Sequence, residues 1–301
     1  MAPARKGVYG AAMIRLSDLA LPLDHASEDL EAAVIARLGL AAGELQRLAI
    51  ARRGNDARRK NAIKLIYTLD LQLADEATVL ERFADDPHVR RTPDTSYKFV
   101  TKAPADYAGP RPVVIGAGPC GLLAGLILAQ MGFKPIIVER GKAVRERTKD
   151  TWGLWRKSVL DPESNVQYGE GGAGTFSDGK LYSRIKDSRH LGRKVLTEFV
   201  KAGAPEDILT EAHPHIGTFR LVTMVMSMRE TIEKLGGEYR FSTRVDDFEL
   251  ETGEDGVQKI CGLHLSTGEF LPASHVILAV GHSARDTFEV LYKAGVHVEA
   301  K

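Results

Sequence analysis

Residues 113–141 read VVIGAGPCGLLAGLILAQMGFKPIIVERG, and their order decides the fold. A short β-run, VVI, breaks at a turn carrying Gly116, Gly118 and Gly121. An apolar helical stretch follows from Pro119 to Gly132, and KPIIVER returns as a second buried strand ending on Glu139. Strand, helix, strand in this order is a βαβ unit, and such units build parallel sheets covered by helices. Glycine in a helix interior costs about 1 kcal/mol relative to alanine. Glycines inside so apolar a helix therefore point to something that packs closely on its backbone.

Gly116-x-Gly118-x-x-Gly121 directly follows the strand and opens the helix, the context that a dinucleotide fingerprint requires. The first glycine permits the tight turn, the second lets a pyrophosphate approach, and the third lets helix and strand pack. Ala117, Pro119 and Cys120 complete the loop, whose exposed N–H groups face the anion with the help of the helix dipole. Glu139, at the end of the second strand, is placed to accept both hydroxyls of an adenosine ribose, with Arg140 beside it. A carboxylate there disfavours a 2′-phosphate, which points to FAD or NAD rather than NADP. The bland alternative is a tight glycine turn that binds nothing.

Working outward, IKLIYTLDLQL puts Ile63, Leu65, Tyr67, Leu69, Leu71 and Leu73 on alternate positions, the period of a strand with one buried face. IRLSDLALPLD reads as another strand region. SEDLEAAVIARLGL opens on Ser27 as N-cap and spaces Leu30, Val34 and Leu38 for a helix. A further short helix is expected over 75–84. Together these predict a small α+β domain over residues 1–100, a linker over 101–112 broken by Pro104, Pro110 and Pro112, and a Rossmann-like α/β domain over 113–301.

Downstream, YGEGGAGTFSDGKL offers Gly172, Ala173 and Gly174 as a backbone nest, and Thr175 and Ser177 as hydroxyl donors around phosphate or flavin. Leu221, Val225, Met228, Ile232 and Leu235 mark one face of a helix whose methionines read as core filler. A β-rich stretch follows, then VILAVGHSARD, a glycine-ended strand through Ala279, Val280 and Gly281. A last helix is expected over 283–294, and VHVEA reads as the start of one more strand.

Lys and Arg number 41 against 40 Asp and Glu, which argues against a dedicated nucleic-acid or membrane-surface binder. Two cysteines are too few for a disulfide framework and fit a reducing, cytoplasmic setting. MAPARKGVYGAAMIRL lacks the apolar run of a secretory leader, and no stretch reaches the length of a membrane span. Cys120 and Cys261 read as small packing residues, and no metal site is expected. His213 and His215 read as a loop pair, and His282 is a candidate for the neighbourhood of a flavin. The cluster Arg52, Arg53, Arg58, Arg59 and Lys60 reads as a solvated loop; an RNA contact is its sharper alternative.

Continued through Gly125 and Gly132, the glycine series resembles the FAD-binding signature of glutathione-reductase-like flavoproteins. The whole chain resembles the bacterial FAD-dependent dehydrogenases, sometimes described as NAD(FAD)-utilising. The resemblance is carried by GNDARRKNAIKLIYTLDLQL, the fingerprint, WGLWRKSVLDPESNVQYGEGGAGTFSDGKLYS and AVGHSARDTFEVL. It implies noncovalent FAD, the return of Ala279 to Gly281 to the cofactor, backbone near Val245 facing the adenine, and hydride transfer to or from a small-molecule substrate. NAD(P)H is the expected reductant, although no second fingerprint is visible to bind it. It also implies that a flavin- and substrate-facing region of the family is lacking here, because the chain stops as a strand is expected to begin. The competing readings are an NAD-linked dehydrogenase without flavin and a noncatalytic nucleotide-binding or RNA-associated protein.

Overall fold

The computed structural model describes residues 13–181 and 185–299. They form two compact units: residues 13–97 with 181, 185–197 and 205–215, and residues 98–180 with 198–204 and 216–299.

In the first unit, β1 (Ile14–Pro22), α1 (Ser27–Leu38), β2 (Leu45–Asp56), β3 (Lys64–Leu73), α2 (Glu76–Arg82) and β4 (Val89–Arg91) follow in order. The strands make an antiparallel sheet ordered β2-β3-β1-β4. Alternation on β3 buries Tyr67, Leu69, Leu71 and Leu73 in a core with Ile14 and Leu16 of β1 and Val34 and Leu38 of α1. Arg15 and Asp70 stand opposite each other across β1 and β3 and pair at 2.8 Å. The N-cap of α1 is Ala26 rather than Ser27. The Asp29 carboxylate accepts from the Ala26 N–H at 2.8 Å, so the acid at the third helical residue supplies the bond that fixes the helix start. Strand β2 was not foreseen. Its register slips between Leu45 and Arg47 and again between Ile50 and Arg52, which erases a two-residue period in the sequence. Arg52 and Arg53, expected in a loop, belong to this strand, where Arg53 donates to Glu211 at 2.9 Å.

The second unit contains β5 (Val113–Ile115), α3 (Pro119–Gln130), β6 (Ile136–Val138) and α4 (Val144–Lys157). Then come α5 (Leu191–Lys201), whose last four residues belong to this unit, α6 (Thr218–Lys234), β7 (Glu238–Arg240), β8 (Val245–Thr252), β9 (Gln258–Leu265), β10 (Phe270–Pro272), β11 (Val276–Leu278) and α7 (Arg285–Lys293). Four strands form a parallel sheet in the order β11-β5-β6-β7, and β8, β9 and β10 form a separate antiparallel sheet. This is the Rossmann-like α/β architecture: β5 is flanked by the next strand in sequence, β6, on one side and by the late strand β11 on the other. That reversal of strand order opens a crevice at the carboxyl ends of β5 and β11.

Helix α3 buries one face, with Leu122, Leu126 and Ala129 inside, while Leu123, Ala124, Ile127 and Leu128 on its other side are half-buried. A Cβ on Gly125 would lie 3.2 Å from Ile137 of β6 and 3.6 Å from Ile232 of α6, so this glycine sets how closely the helix lies on the sheet. Met224 and Met228 of α6 are buried core residues, whereas Leu235 caps that helix and is exposed. Residues 296–299, expected to begin a strand, pair with no strand. Among the described residues no helix is long and apolar enough to cross a membrane.

Candidate functional site

The fingerprint loop leaves β5 with the Gly116 N–H bonded to the Val138 carbonyl at 2.7 Å. Gly116 adopts φ 100°, and a Cβ there would press on the Ala279 carbonyl at the end of β11. A Cβ on Gly121 would overlap the Gly116 carbonyl oxygen. These two glycines are therefore demanded by the protein's own packing. Gly118 is different: its φ of −68° and ψ of −176° suit any residue, and a Cβ on it would meet nothing within 4 Å. It caps α3 with no side-chain bond to the first-turn N–H groups, and Pro119 follows at the first helical position.

The space left in front of Gly118 is a pocket of about 570 Å³, within the range of small-molecule and cofactor sites. Its floor is the carboxyl ends of β5, β6 and β11, where the strand-order rule puts a ligand. Of the residues singled out in the sequence, the pocket brings together Gly116, Gly118, Pro119 and Cys120 from the fingerprint, and Glu139 and Arg140 from the end of β6. Gly172, Ala173 and Gly174 join from the glycine-rich loop, as do Ala279, Val280 and Gly281 after β11, and Val245 at the start of β8. His282 is also at its edge. Ala117 and Gly121 lie behind this surface.

Four expectations are corrected in detail. Thr175 and Ser177 do not reach the pocket: their hydroxyls donate to the Gly172 and Gly174 carbonyls at 3.0 and 2.7 Å and so close the loop on itself. Cys120 is exposed on the pocket surface rather than packed, because the second residue of α3 points away from the sheet. Glu139 is buried, and its carboxylate is largely committed. One oxygen accepts from Ala117 N and the other from Gly141 N and Gly169 N, at 2.6, 2.8 and 2.9 Å. A carboxylate has about four acceptor positions, so about one is left.

Arg140 reaches Glu163 at 2.7 Å and Asp286 at 2.8 Å and lies over the Tyr168 ring at 4.1 Å. Burial pulls its pKa down, but the bonds to Glu163 and Asp286 outweigh that and leave it raised. Burial likewise raises the Tyr168 phenol, which donates to the Ser283 carbonyl at 2.7 Å. Tyr168 and Gln167 line the pocket without having been singled out in the sequence, although the glycines after them marked the loop. Among the described residues no group of three His, Cys, Asp or Glu side chains is arranged to hold a metal ion.

Comparison with known proteins follows the same division. Residues 111–151 match the FAD binding domain family. The matched segment is β5, α3, β6 and the first part of α4, the elements that carry Gly118 and Glu139 to the pocket. The match supports FAD as the dinucleotide, and the open approach at Gly118 fits a diphosphate. Residues 13–72 match a domain of unknown function, DUF8436. A protein of Clostridium beijerinckii described as uncharacterized is 38% identical over 293 residues, covering 96% of this chain and 52% of the relative. The chain thus spans about half the length of the curated relative that it matches. Among solved structures, Thermovibrio ammonificans THI4 is 20% identical with a TM-score of 0.43, covering 62% of this chain and 64% of that one. An L-amino acid deaminase from Proteus vulgaris is 16% identical with a TM-score of 0.32, covering 67% and 54%.

Proposed function

We propose that this chain holds noncovalent FAD for an oxidoreductase of the dehydrogenase type, acting in the cytoplasm on a small-molecule substrate with NAD(P)H as reductant. The observation that carries the dinucleotide part is Gly118: neither its backbone angles nor its neighbours require glycine, yet a side chain there would project into the pocket at a helix N-terminus. The choice of FAD is supported by the family match over residues 111–151. FAD, when bound, supplies the capacity to take up and release a hydride.

The chain's own residues bind and orient. The first turn of α3 presents N–H groups and the positive end of the helix dipole to the diphosphate, an attraction of about 0.3 to 2 kcal/mol. Glu139 gives its remaining acceptor position to a ribose hydroxyl and spends the others in fixing the loops around it. The backbone at Val245 would border the adenine, and Arg140, held by Glu163 and Asp286, would form a polar edge beside it. No residue is assigned as the proton donor or acceptor of the reaction.

The test is to release the ligand of the purified protein by heat, identify it by mass spectrometry, and titrate ligand-free protein with FAD. FAD should be recovered, and Gly118→Val should fail to retain it while keeping the wild-type far-ultraviolet spectrum. Recovery of NAD(H), or stoichiometric FAD in Gly118→Val after gel filtration, overturns the assignment. Anaerobic bleaching of the flavin band by NADH or NADPH tests the reductant.

A further inference from the structure

Arg147, on α4, is fully buried, and no feature of the sequence marked it. It touches nothing in the pocket. Its guanidinium donates instead to five main-chain carbonyls of the loop that forms the pocket wall facing the fingerprint. Nε reaches Asn165 at 3.1 Å and Nη2 reaches Val166 at 2.8 Å. Nη1 reaches Gly169 and Glu170 at 3.0 and 2.5 Å, and both terminal nitrogens fork onto Gly172 at 3.0 Å. Burial lowers its pKa to about 10, against the opposing pull of Glu139 and Glu170, so it is a cation at neutral pH. Gly169 has no room for a side chain because the Arg147 stem occupies the place of its Cβ.

We infer that Arg147 is a positioning residue for FAD, one that shapes the Asn165–Gly172 wall before the cofactor arrives. This rests on the FAD reading of the pocket. Three geometric facts support it. The loop is tied to the fingerprint by the Gly171 N–H on the Ala117 carbonyl at 2.8 Å and to β6 by the Gly169 N–H on Glu139 at 2.9 Å. A Cβ on Gly172 would lie 3.0 Å from Pro119 and 3.5 Å from Gly118, so the loop stands directly against the cradle of the diphosphate. In a trans peptide the N–H points opposite to the C=O. The fork on the Gly172 carbonyl therefore turns the Ala173 N–H away from Arg147, and Ala173 lines the pocket.

Lysine cannot reproduce the fork, since an ammonium has three donors on one nitrogen and no fixed plane. A loop left to disorder must be ordered as the cofactor binds, so losing the fork should weaken FAD binding at least about tenfold, or about 1.4 kcal/mol. The experiment titrates FAD into wild type, Arg147→Lys, Arg147→Met and, as a control on the exposed face of α4, Arg156→Met, by quenching of flavin fluorescence. Hydrogen exchange of the 169–172 amides is followed without FAD.

The expected result has four parts. Wild type and Arg156→Met bind alike. Both Arg147 variants bind at least about tenfold more weakly, through slower association. Their bound flavin spectrum at saturation equals that of wild type. The loop amides are protected in the ligand-free wild type and exposed in the variants. Wild-type affinity in folded Arg147→Lys overturns the proposal and leaves the FAD reading standing, whereas no FAD binding by wild type overturns both. Should neither variant fold, rapid exchange of the loop amides in ligand-free wild type would by itself refute preorganisation.

Discussion

The pocket has two facing walls built on different principles. The fingerprint wall, Gly116 to Gly121, is held by backbone against backbone: a missing side chain at Gly121 lets α3 meet the turn, and another at Gly116 lets the turn meet β11. The opposite wall, Asn165 to Gly172, also meets backbone, at Gly141 and at the Ala117 carbonyl, but is held in addition by two buried charges, Arg147 on its carbonyls and Glu139 on the Gly169 N–H. The first wall tolerates no added atom at Gly116 or Gly121, and the second depends besides on its buried donors and acceptors. A site can thus be preorganised either by excluding volume or by satisfying polar groups, and this one combines the two within a single cleft.

Substitutions can set these walls against each other. The largest effect is expected at Gly121→Ala, where the new methyl overlaps a carbonyl oxygen and should cost about 3 kcal/mol or more. Gly118→Ala, three residues earlier, should stay within about 0.5 kcal/mol of wild type. Denaturant unfolding of both variants decides it, and equal stabilities would dissolve the distinction between packed and open glycines.

Next comes Glu139→Gln, which keeps the volume but offers one acceptor oxygen to three N–H groups and turns an amide NH₂ toward at least one of them. Leaving a buried donor unsatisfied costs about 1–3 kcal/mol. Because Glu139 joins Ala117 of one wall to Gly169 of the other, exchange should rise on both sides together.

A smaller effect is expected at acid pH. The Arg140 bonds hold Glu163 and Asp286 below the ordinary carboxylate range. Their contribution is complete above the unfolded values of about 4 and is lost as pH falls through the depressed folded values. Thermal stability of wild type should therefore fall more steeply below about pH 4 than that of the double variant Glu163→Gln, Asp286→Asn. Parallel pH curves would show that this edge of the pocket adds nothing. Smallest of all is Tyr239→Phe. The Tyr239 hydroxyl is buried without a hydrogen-bond partner among the described residues, so its removal should change stability by no more than about 1 kcal/mol in either direction. A loss of twice that would reveal a partner, such as a buried water.

The same contrast explains what the sequence disclosed. The fingerprint wall is local: its glycines, its strand and its helix follow from spacing within one short stretch, and the structure places Gly116, Gly118 and Gly121 as that spacing required. Alternation likewise marked β3, where one face is buried from Tyr67 to Leu73. Strand β2 escaped because two slips in register scramble its period, and Ser27 misled because the decisive bond at the start of α1 comes from Asp29. Arg147 was unreadable for a different reason. Its partners are main-chain carbonyls 18 to 25 positions away, which leave no trace in side-chain identity. Thr175 and Ser177 were chosen as plausible donors by residue type, but a hydroxyl near a glycine-rich turn is as readily used by the turn itself.

Gly118 has a consequence on the scale of descent rather than of free energy. Gly116 and Gly121 are fixed by the protein's own shape, so a copy of this chain that had ceased to bind a dinucleotide would still need both in order to fold. Nothing in the fold would defend Gly118 in such a copy, and drift would fill it with whatever residue chance supplied. Among descendants of this sequence, the middle glycine would be the first of the three to record that the cofactor had been given up.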